Sequence, residues 1–229
     1  GLTTWHSTGT SFNSATGFYD TFGTEWTAIG EAEADDPLPP GTLLGTSGDD
    51  NFGGTQQNDV VRGFAGNDIL GGIDGDDQIY GESGDDIIRG GRDDDLIYGG
   101  TGTDTLYGGR HDDVLYGEQG DDRLAGDYGN DQMYGGEGAD MFFFERLTAG
   151  RNFDNSPASD VIHDLGAGDF IRFGDYGAAA DLIFQQLDDD VQILVDTDGN
   201  GTANYLAATV LGTTVAAVEA VTTFGGFDL

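Results

Sequence analysis

The sequence predicts an all-β solenoid, and three observations carry that expectation. Residues 45–143 divide into eleven nonapeptides with no insertion or deletion, and a fixed short period marks a coiled repeat. In every copy the first residue is Gly, the sixth is Asp and the eighth is large and apolar. The composition is also far from ordinary: 41 glycines, no cysteine, 8 basic residues (all Arg) and 43 acids give a formal charge of −35. With 37% apolar and 11% aromatic residues, the chain is nevertheless too hydrophobic for a purely disordered acidic tail. The charge excludes nucleic acid as a partner. No run of about 18 apolar residues offers a membrane span. The missing cysteines exclude disulfides, zinc–thiolate sites and thiol catalysis.

Three regions are expected: an N-terminal extension over 1–41, the solenoid over 42–144, and a capping and secretion-signal region over 145–229 whose last residues (FGGFDL) are compatible with a C-terminal export signal. The chain starts without Met, which reads as a processed or excised piece, and shows neither the basic nor the apolar region of a cleavable signal. Residues 1–20 are rich in Thr, Ser and Gly, with Trp5, Phe12, Phe18 and Tyr19 interspersed. Two readings stay open there, a flexible linker or a strand that docks. Residues 31–40 (EAEADDPLPP) read as an acidic, proline-rich linker.

Within each nonapeptide, six residues rich in Gly, Asp and Asn predict a turn, because Gly tolerates positive φ and Asx residues fold back on their own backbone. The remaining three predict a very short strand whose middle residue points to one face. One full coil then takes two nonapeptides, and the eighth-position side chains fill a thin core between two parallel sheets. One apolar residue in nine cannot by itself offset the entropy of ordering the chain, and stacked carboxylates oppose it further. A hard cation in the turns resolves both difficulties. Calcium fits best, since it takes six to eight oxygen ligands, carboxylate and carbonyl, in flexible geometry. Magnesium prefers a stricter octahedron with retained waters. Zinc prefers nitrogen and sulfur, and only His6, His111 and His163 are on offer.

Stretches such as 99–107, GGTGTDTLY, fit a Gly-Gly-x-Gly-x-Asp-x-apolar-x repeat. The chain therefore resembles the RTX (haemolysin-type) calcium-binding proteins. The resemblance implies a right-handed parallel β-roll in which each ion lies between a turn and the one a full coil later. It further implies side-chain ligands from Asp50, Asp59, Asp68, Asp77, Asp86, Asp95, Asp104, Asp113, Asp122, Asp131 and Asp140. Carbonyl ligands would come from first-position Gly45, Gly63, Gly72, Gly81, Gly90, Gly99, Gly108, Gly117, Gly126 and Gly135. Fourth-position Gly48, Gly66, Gly75, Gly84, Gly102, Gly120, Gly129 and Gly138 would supply the rest. Pairing each motif with the next but one allows nine sites. Residues 45–143 hold twenty-three acids and five arginines, a net of −18, which nine divalent ions would cancel. The pattern has departures: position two is Gly only at Gly91, Gly100, Gly109 and Gly136, and position four is Gln57, Asp93 or His111 in three even-numbered motifs. Gln tolerates a left-handed conformation least, so the Gln57 turn is expected to be empty or loosely held.

After the repeats, residues 160–171 (DVIHDLGAGDFI) resemble the segment following the repeats in many RTX proteins, which implies that Asp160 and Asp169 help close the last turn. A strand and tight turn with exposed acids is the other reading. Residues 182–187, 191–195 and 205–211 predict an antiparallel meander, and Val215, Val218, Val221 and Phe224 predict a short helix over 213–224. Together they form a cap that a solenoid end needs. Residues 196–201 (DTDGNG) match half an EF-hand loop, but Ala207 stands where the bidentate Glu belongs, so a hairpin turn is expected.

No His-Glu-x-x-His, Gly-x-Ser-x-Gly, P-loop or dinucleotide fingerprint occurs, and the acidic pairs recur every turn where a catalytic pair would be singular. The chain is therefore not expected to be an enzyme, and His111 and His163 read as a turn substitution and a surface residue. Eighteen-residue spacing places Tyr80, Tyr98, Tyr116 and Tyr134 in a ladder on one sheet, after Arg62. That face reads either as cross-strand stacking or as a docking surface for another copy (an oligomer or filament), a cell-surface glycan or a fused domain. The expected function is a secreted calcium-binding RTX component of a surface layer, filament or matrix, whose roll folds on calcium outside the cell. The alternative is the C-terminal calcium-binding secretion module of a larger RTX enzyme or toxin. The resemblance also implies type I export from a Gram-negative bacterium to an extracellular or cell-surface location.

Overall fold

The computed structural model describes residues 40–144, 159–174, 182–196 and 205–224. The expectations for 1–39, for the turn following Asp196 and for the last five residues lie outside the described residues. Turn and strand alternate along the repeats, and successive strands go to opposite sheets. One sheet takes β1 (Thr42–Leu44), β3 (Val60–Ala65), β5 (Gln78–Ser83), β7 (Leu96–Thr101), β9 (Val114–Gln119), β11 (Gln132–Glu137) and β13 (Asp160–Ile162). The other takes β2 (Asn51–Gly53), β4 (Ile69–Asp74), β6 (Ile87–Arg92), β8 (Thr105–Arg110), β10 (Arg123–Tyr128), β12 (Met141–Phe144) and β14 (Phe170–Phe173). Neighbours pair in parallel with a register of eighteen residues, as in Ile79 opposite Ile97 and Ile88 opposite Leu106. This is a parallel β-roll.

Between the sheets the eighth-position side chains form one core in two rows, one from each sheet. From the second motif on, each is at most 2% exposed, which is possible because the flanking residues of a pleated strand point the other way. At the first motif Phe52 is only half-buried, since β2 is the edge strand of its sheet among the described residues.

The strands are longer than the sequence suggests. Over β3 to β11 each covers six residues, running from position seven through position three of the next motif, and the turn proper is positions four to six. Residues of positions two and three stay in register with the next coil (Ile73 with Gly91, Asp74 with Arg92) although position two has positive φ. Glycine and acid content hid this half of the strand, because neither is a strand signal.

Beyond β12 the roll continues. β13 extends one sheet beside β11, and β14 extends the other beside β12. The meander follows as β15 (Leu182–Leu187), β16 (Asp190–Val195) and β17 (Tyr205–Val210), antiparallel to one another, while β17 lies parallel to β13. Helix α1 (Val215–Val221) starts at Thr214, whose hydroxyl accepts from the Ala217 amide, and buries Val218. It leads into β18 (Thr222–Phe224), which pairs with β14.

Candidate metal centre

Among the described residues most of the buried charged side chains are sixth-position aspartates, joined by Asp160, Asp169 and Asp196. From Asp59 to Asp140 the sixth-position residues are all at most 3% exposed. Their two oxygens have different surroundings. Oδ1 accepts the backbone N–H of the equivalent aspartate one coil earlier, as in Asp50 N–H to Asp68 (2.8 Å), Asp86 N–H to Asp104 (2.8 Å) and Asp122 N–H to Asp140 (2.9 Å). Oδ2 of Asp68, Asp77, Asp86, Asp95, Asp104, Asp113, Asp122, Asp131 and Asp140 is buried and accepts from no donor among the described residues. The nine orphaned carboxylate oxygens form two ladders, one along each row of turns (Asp68, Asp86, Asp104, Asp122 and Asp140; Asp77, Asp95, Asp113 and Asp131), and they require a cationic partner or a proton.

First-position glycine makes room for them. A Cβ on Gly63 would stand 2.2 Å from Asp68 Oδ2 and 2.9 Å from the Gly81 carbonyl oxygen, and one on Gly72 would stand 2.0 Å from Asp77 Oδ2 and 2.6 Å from the Gly90 carbonyl. The same hollow repeats at Gly81, Gly90, Gly99, Gly108 and Gly117. The reason for glycine here is space, since none of the first-position glycines has positive φ. At position four, conformation and space both act: Gly66, Gly84, Gly102, Gly120 and Gly138 have positive φ, and a Cβ on Gly102 would lie 2.0 Å from the Gly84 carbonyl. Asp93 and His111 adopt the same left-handed conformation (φ 71° and 76°), and the Asp93 amide donates to His111 Nδ1 at 3.0 Å. Gln57 does not adopt it.

One structural device escaped the sequence reading. Fifth-position side chains join the coils: Asn67 N–H donates to Asp49 (2.8 Å), Asp85 N–H to Asn67 (3.0 Å) and Thr103 N–H to Asp85 (2.8 Å). The run of Asp and Asn at position five was the visible signal.

Burial pushes the sixth-position carboxyls upward from 3.8: to about 6 for Asp68, Asp122 and Asp140, about 7 for Asp77 and Asp104, and about 8 for Asp95. Asp113 reaches about 10, because burial is reinforced by the charge of Asp131. Asp86 shifts the same way by burial. Each cradle thus offers a desolvated carboxylate oxygen facing a main-chain carbonyl of the next coil, an all-oxygen set suited to a hard divalent ion. Among the described residues no three His, Asp or Glu side chains converge, so any ion here depends on carbonyls as well.

Asp160 and Asp169 each extend one of the two ladders. Asp131 N–H donates to Asp160 (3.1 Å) and Asp140 N–H to Asp169 (3.0 Å), at a separation of 29 residues where other coils have 18. Each is followed two residues on by a buried Ile, Ile162 or Ile171, so the Asp-x-apolar pattern resumes after an insertion of eleven. Asp169 is already satisfied by the Gly166 amide (2.7 Å). Asp160 is raised well above 3.8 by burial and then by the charge of Asp131. Asp164 was not expected: its two oxygens accept from Gly135 N–H (2.9 Å) and Gly136 N–H (3.1 Å), where the next coil's carbonyls end.

The tyrosine ladder is continuous. Ring centroids lie 5.0 Å apart for Tyr80–Tyr98, 4.9 Å for Tyr98–Tyr116 and 4.6 Å for Tyr116–Tyr134, with the ring planes stacked nearly parallel. His163 extends the stack at 4.1 Å from Tyr134, and the Arg62 guanidinium closes the other end over Tyr80 at 5.3 Å. Burial holds the His163 imidazole below its usual value. His163 is therefore half-buried in the stack, not a free surface residue. The interior rings use both faces on one another, so a partner would meet ring edges and hydroxyls.

The repeats also match a known family of sequences. Residues 44–79, 71–106 and 107–142 match the family described as RTX calcium-binding nonapeptide repeat (4 copies). No curated protein matches the chain. Among solved structures, the extracellular lipase LipA from Serratia marcescens is similar at 17% identity and a TM-score of 0.33, over 84% of this chain and 41% of the lipase. The chain thus spans less than half the length of that lipase. The AlgE6R3 subunit from the Azotobacter vinelandii mannuronan C5-epimerase is similar at 23% identity and a TM-score of 0.27, over 84% of this chain and 88% of that subunit. No helix among the described residues is long and apolar enough to cross a membrane. Residues 44–142 belong to the RTX (haemolysin-type) calcium-binding repeat family, and their β-roll is a calcium-binding module.

Proposed function

We propose that the chain is a secreted, non-catalytic RTX component that folds when it meets calcium outside the cell and then serves as a structural or interaction element. The observation that carries this reading is the two ladders that together hold nine buried Oδ2 atoms without donors among the described residues. Calcium supplies the positive charge those oxygens lack; Asp68 through Asp140 would hold it together with carbonyls of the first-position glycines. In a calcium-poor cytosol the carboxylates would repel one another and keep the chain open for export; outside, binding and folding become one event. The structural role rests on periodicity. Acidic groups recur with every coil, and the stacked rings run along one sheet as a uniform edge suited to another copy of the chain or a matrix partner.

Circular dichroism tests the coupling. With chelator at pH 7.5 the chain is expected to be largely disordered, and millimolar calcium is expected to restore β signal. Full β structure in metal-free buffer at that pH would overturn the proposal.

A further inference from the structure

Two of the eleven aspartates are unlike the rest. Asp50 Oδ2 accepts from the Thr46 amide (2.6 Å) and the Thr46 hydroxyl (2.9 Å). Asp59 Oδ2 accepts from the Thr55 amide and hydroxyl at the same two distances. Both threonines stand at position two. In the nine later motifs that position has positive φ, whether Gly91 or Phe64 or Glu82 fills it, and its amide does not reach the carboxylate. Neither Thr46 nor Thr55 has positive φ, and nor do the fourth-position residues Gly48 and Gln57 of the same turns. The first two turns are therefore folded differently, with a threonine latched onto the oxygen that is orphaned everywhere else.

Resting on the calcium reading above, we infer that the ion array begins at the third nonapeptide and that Thr46 and Thr55 close the first coil without metal. The two donors each latch provides are the satisfaction that a cation gives Asp68 onward. An ion there would have to displace a charge-assisted amide and hydroxyl pair, and the carboxylate would gain little from the exchange. Such a coil gives the roll a metal-independent end on which the first ion-bearing coil stacks, the role of a capping repeat. This departs from the sequence expectation, which counted Gly45, Gly48, Asp50 and Asp59 among the ligands and placed the single weak turn at Gln57. Thr46 and Thr55 were visible in the sequence, but only as two of several non-glycine residues at position two.

The test counts ions on the full chain by equilibrium dialysis and atomic emission at saturating calcium. Asn keeps a side-chain carbonyl for the threonine donors, so the paired variant Asp50→Asn/Asp59→Asn is expected to fold and to bind as much calcium as the unaltered chain. Asp68→Asn/Asp77→Asn is expected to bind about two ions fewer, and Thr46→Gly/Thr55→Gly about two more, as the opened turns take the geometry of the others. If the first pair loses as many ions as the second, Asp50 and Asp59 are ligands and the inference is wrong. Should the glycine variant fail to fold, the two Asn pairs still decide. An unaltered chain that binds no calcium would instead overturn the reading on which the inference rests.

Discussion

Ile73 holds a conformation that costs a β-branched residue energy: φ is 95°, and the side chain is 49% exposed, so little packing compensates. It stays there because the main chain of position two must follow the coil beside it, where Gly91 has the same handedness at φ 122°. The left-handed penalty is about 1–2 kcal/mol, partly offset by the greater unfolded-state freedom of glycine. Ile73→Gly is therefore expected to raise the melting temperature of the calcium-loaded protein by about 2–4 °C. Gly120→Ala should do the reverse, because its Cβ would fall 1.6 Å from the Gly102 carbonyl oxygen and backbone cannot yield as a side chain can. We expect a loss of about 2 kcal/mol or more in calcium-loaded urea titrations. Scanning calorimetry of the two variants checks both signs, and a lower melting temperature for Ile73→Gly would refute the assignment of strain to position two.

At the scale of elements, the ladder on β5, β7, β9 and β11 holds neighbouring coils in register on the outside while the eighth-position rows do so within. Tyr98 stacks on two partners, and each aromatic pair is worth about 0.5–1.5 kcal/mol beyond its buried area. Tyr98→Ser should then cost about 1–3 kcal/mol in calcium-loaded urea unfolding while leaving the calcium count unchanged, because position nine points away from the cradles. Tyr80→Ser, with one ring partner and Arg62, should cost less. Equal effects of the two would show that stacking contributes nothing. The ladder was legible beforehand because an eighteen-residue coil converts sequence spacing directly into strand neighbours. The core rows and the two carboxylate ladders were legible for the same reason: each coil imposes the same restraint, so Gly, Asp and an apolar residue recur without exception. What the spacing could not show was anything set by main-chain direction. The second half of each strand passes through positive φ at residues as different as Phe64, Glu82 and Asp127, with no common side-chain signature. The continuation of the roll into β13 and β14 was only half visible, since an insertion of eleven residues breaks the period that Asp160 and Asp169 resume.

Taken as a whole molecule, the roll buries nine carboxylate oxygens where only protons or cations can stabilise them, and this fixes the sign of its pH dependence. In the metal-free folded state, burial raises Asp68, Asp122 and Asp140 to about 6, Asp77 and Asp104 to about 7 and Asp95 to about 8, against 3.8 for the unfolded chain. Between pH 3.8 and about 8 the folded state therefore binds more protons than the unfolded one. Stability of the metal-free form must fall as pH rises through that window and be greatest at its acid end. Calcium competes with the same protons, so its apparent affinity must rise over the same interval. Two measurements follow from one cause. With chelator present, β signal in circular dichroism is expected to be stronger at pH 5 than at pH 8, with dilute protein because the sequence isoelectric point is about 4.1. In calcium titrations, the midpoint for folding is expected to move to lower concentration as pH is raised from 5 to 8. A metal-free chain that gained structure on going from pH 5 to pH 8 would mean that these carboxylates are not desolvated in the folded state. A calcium midpoint indifferent to pH would mean that the ions bind oxygens other than the orphaned carboxylates of the roll.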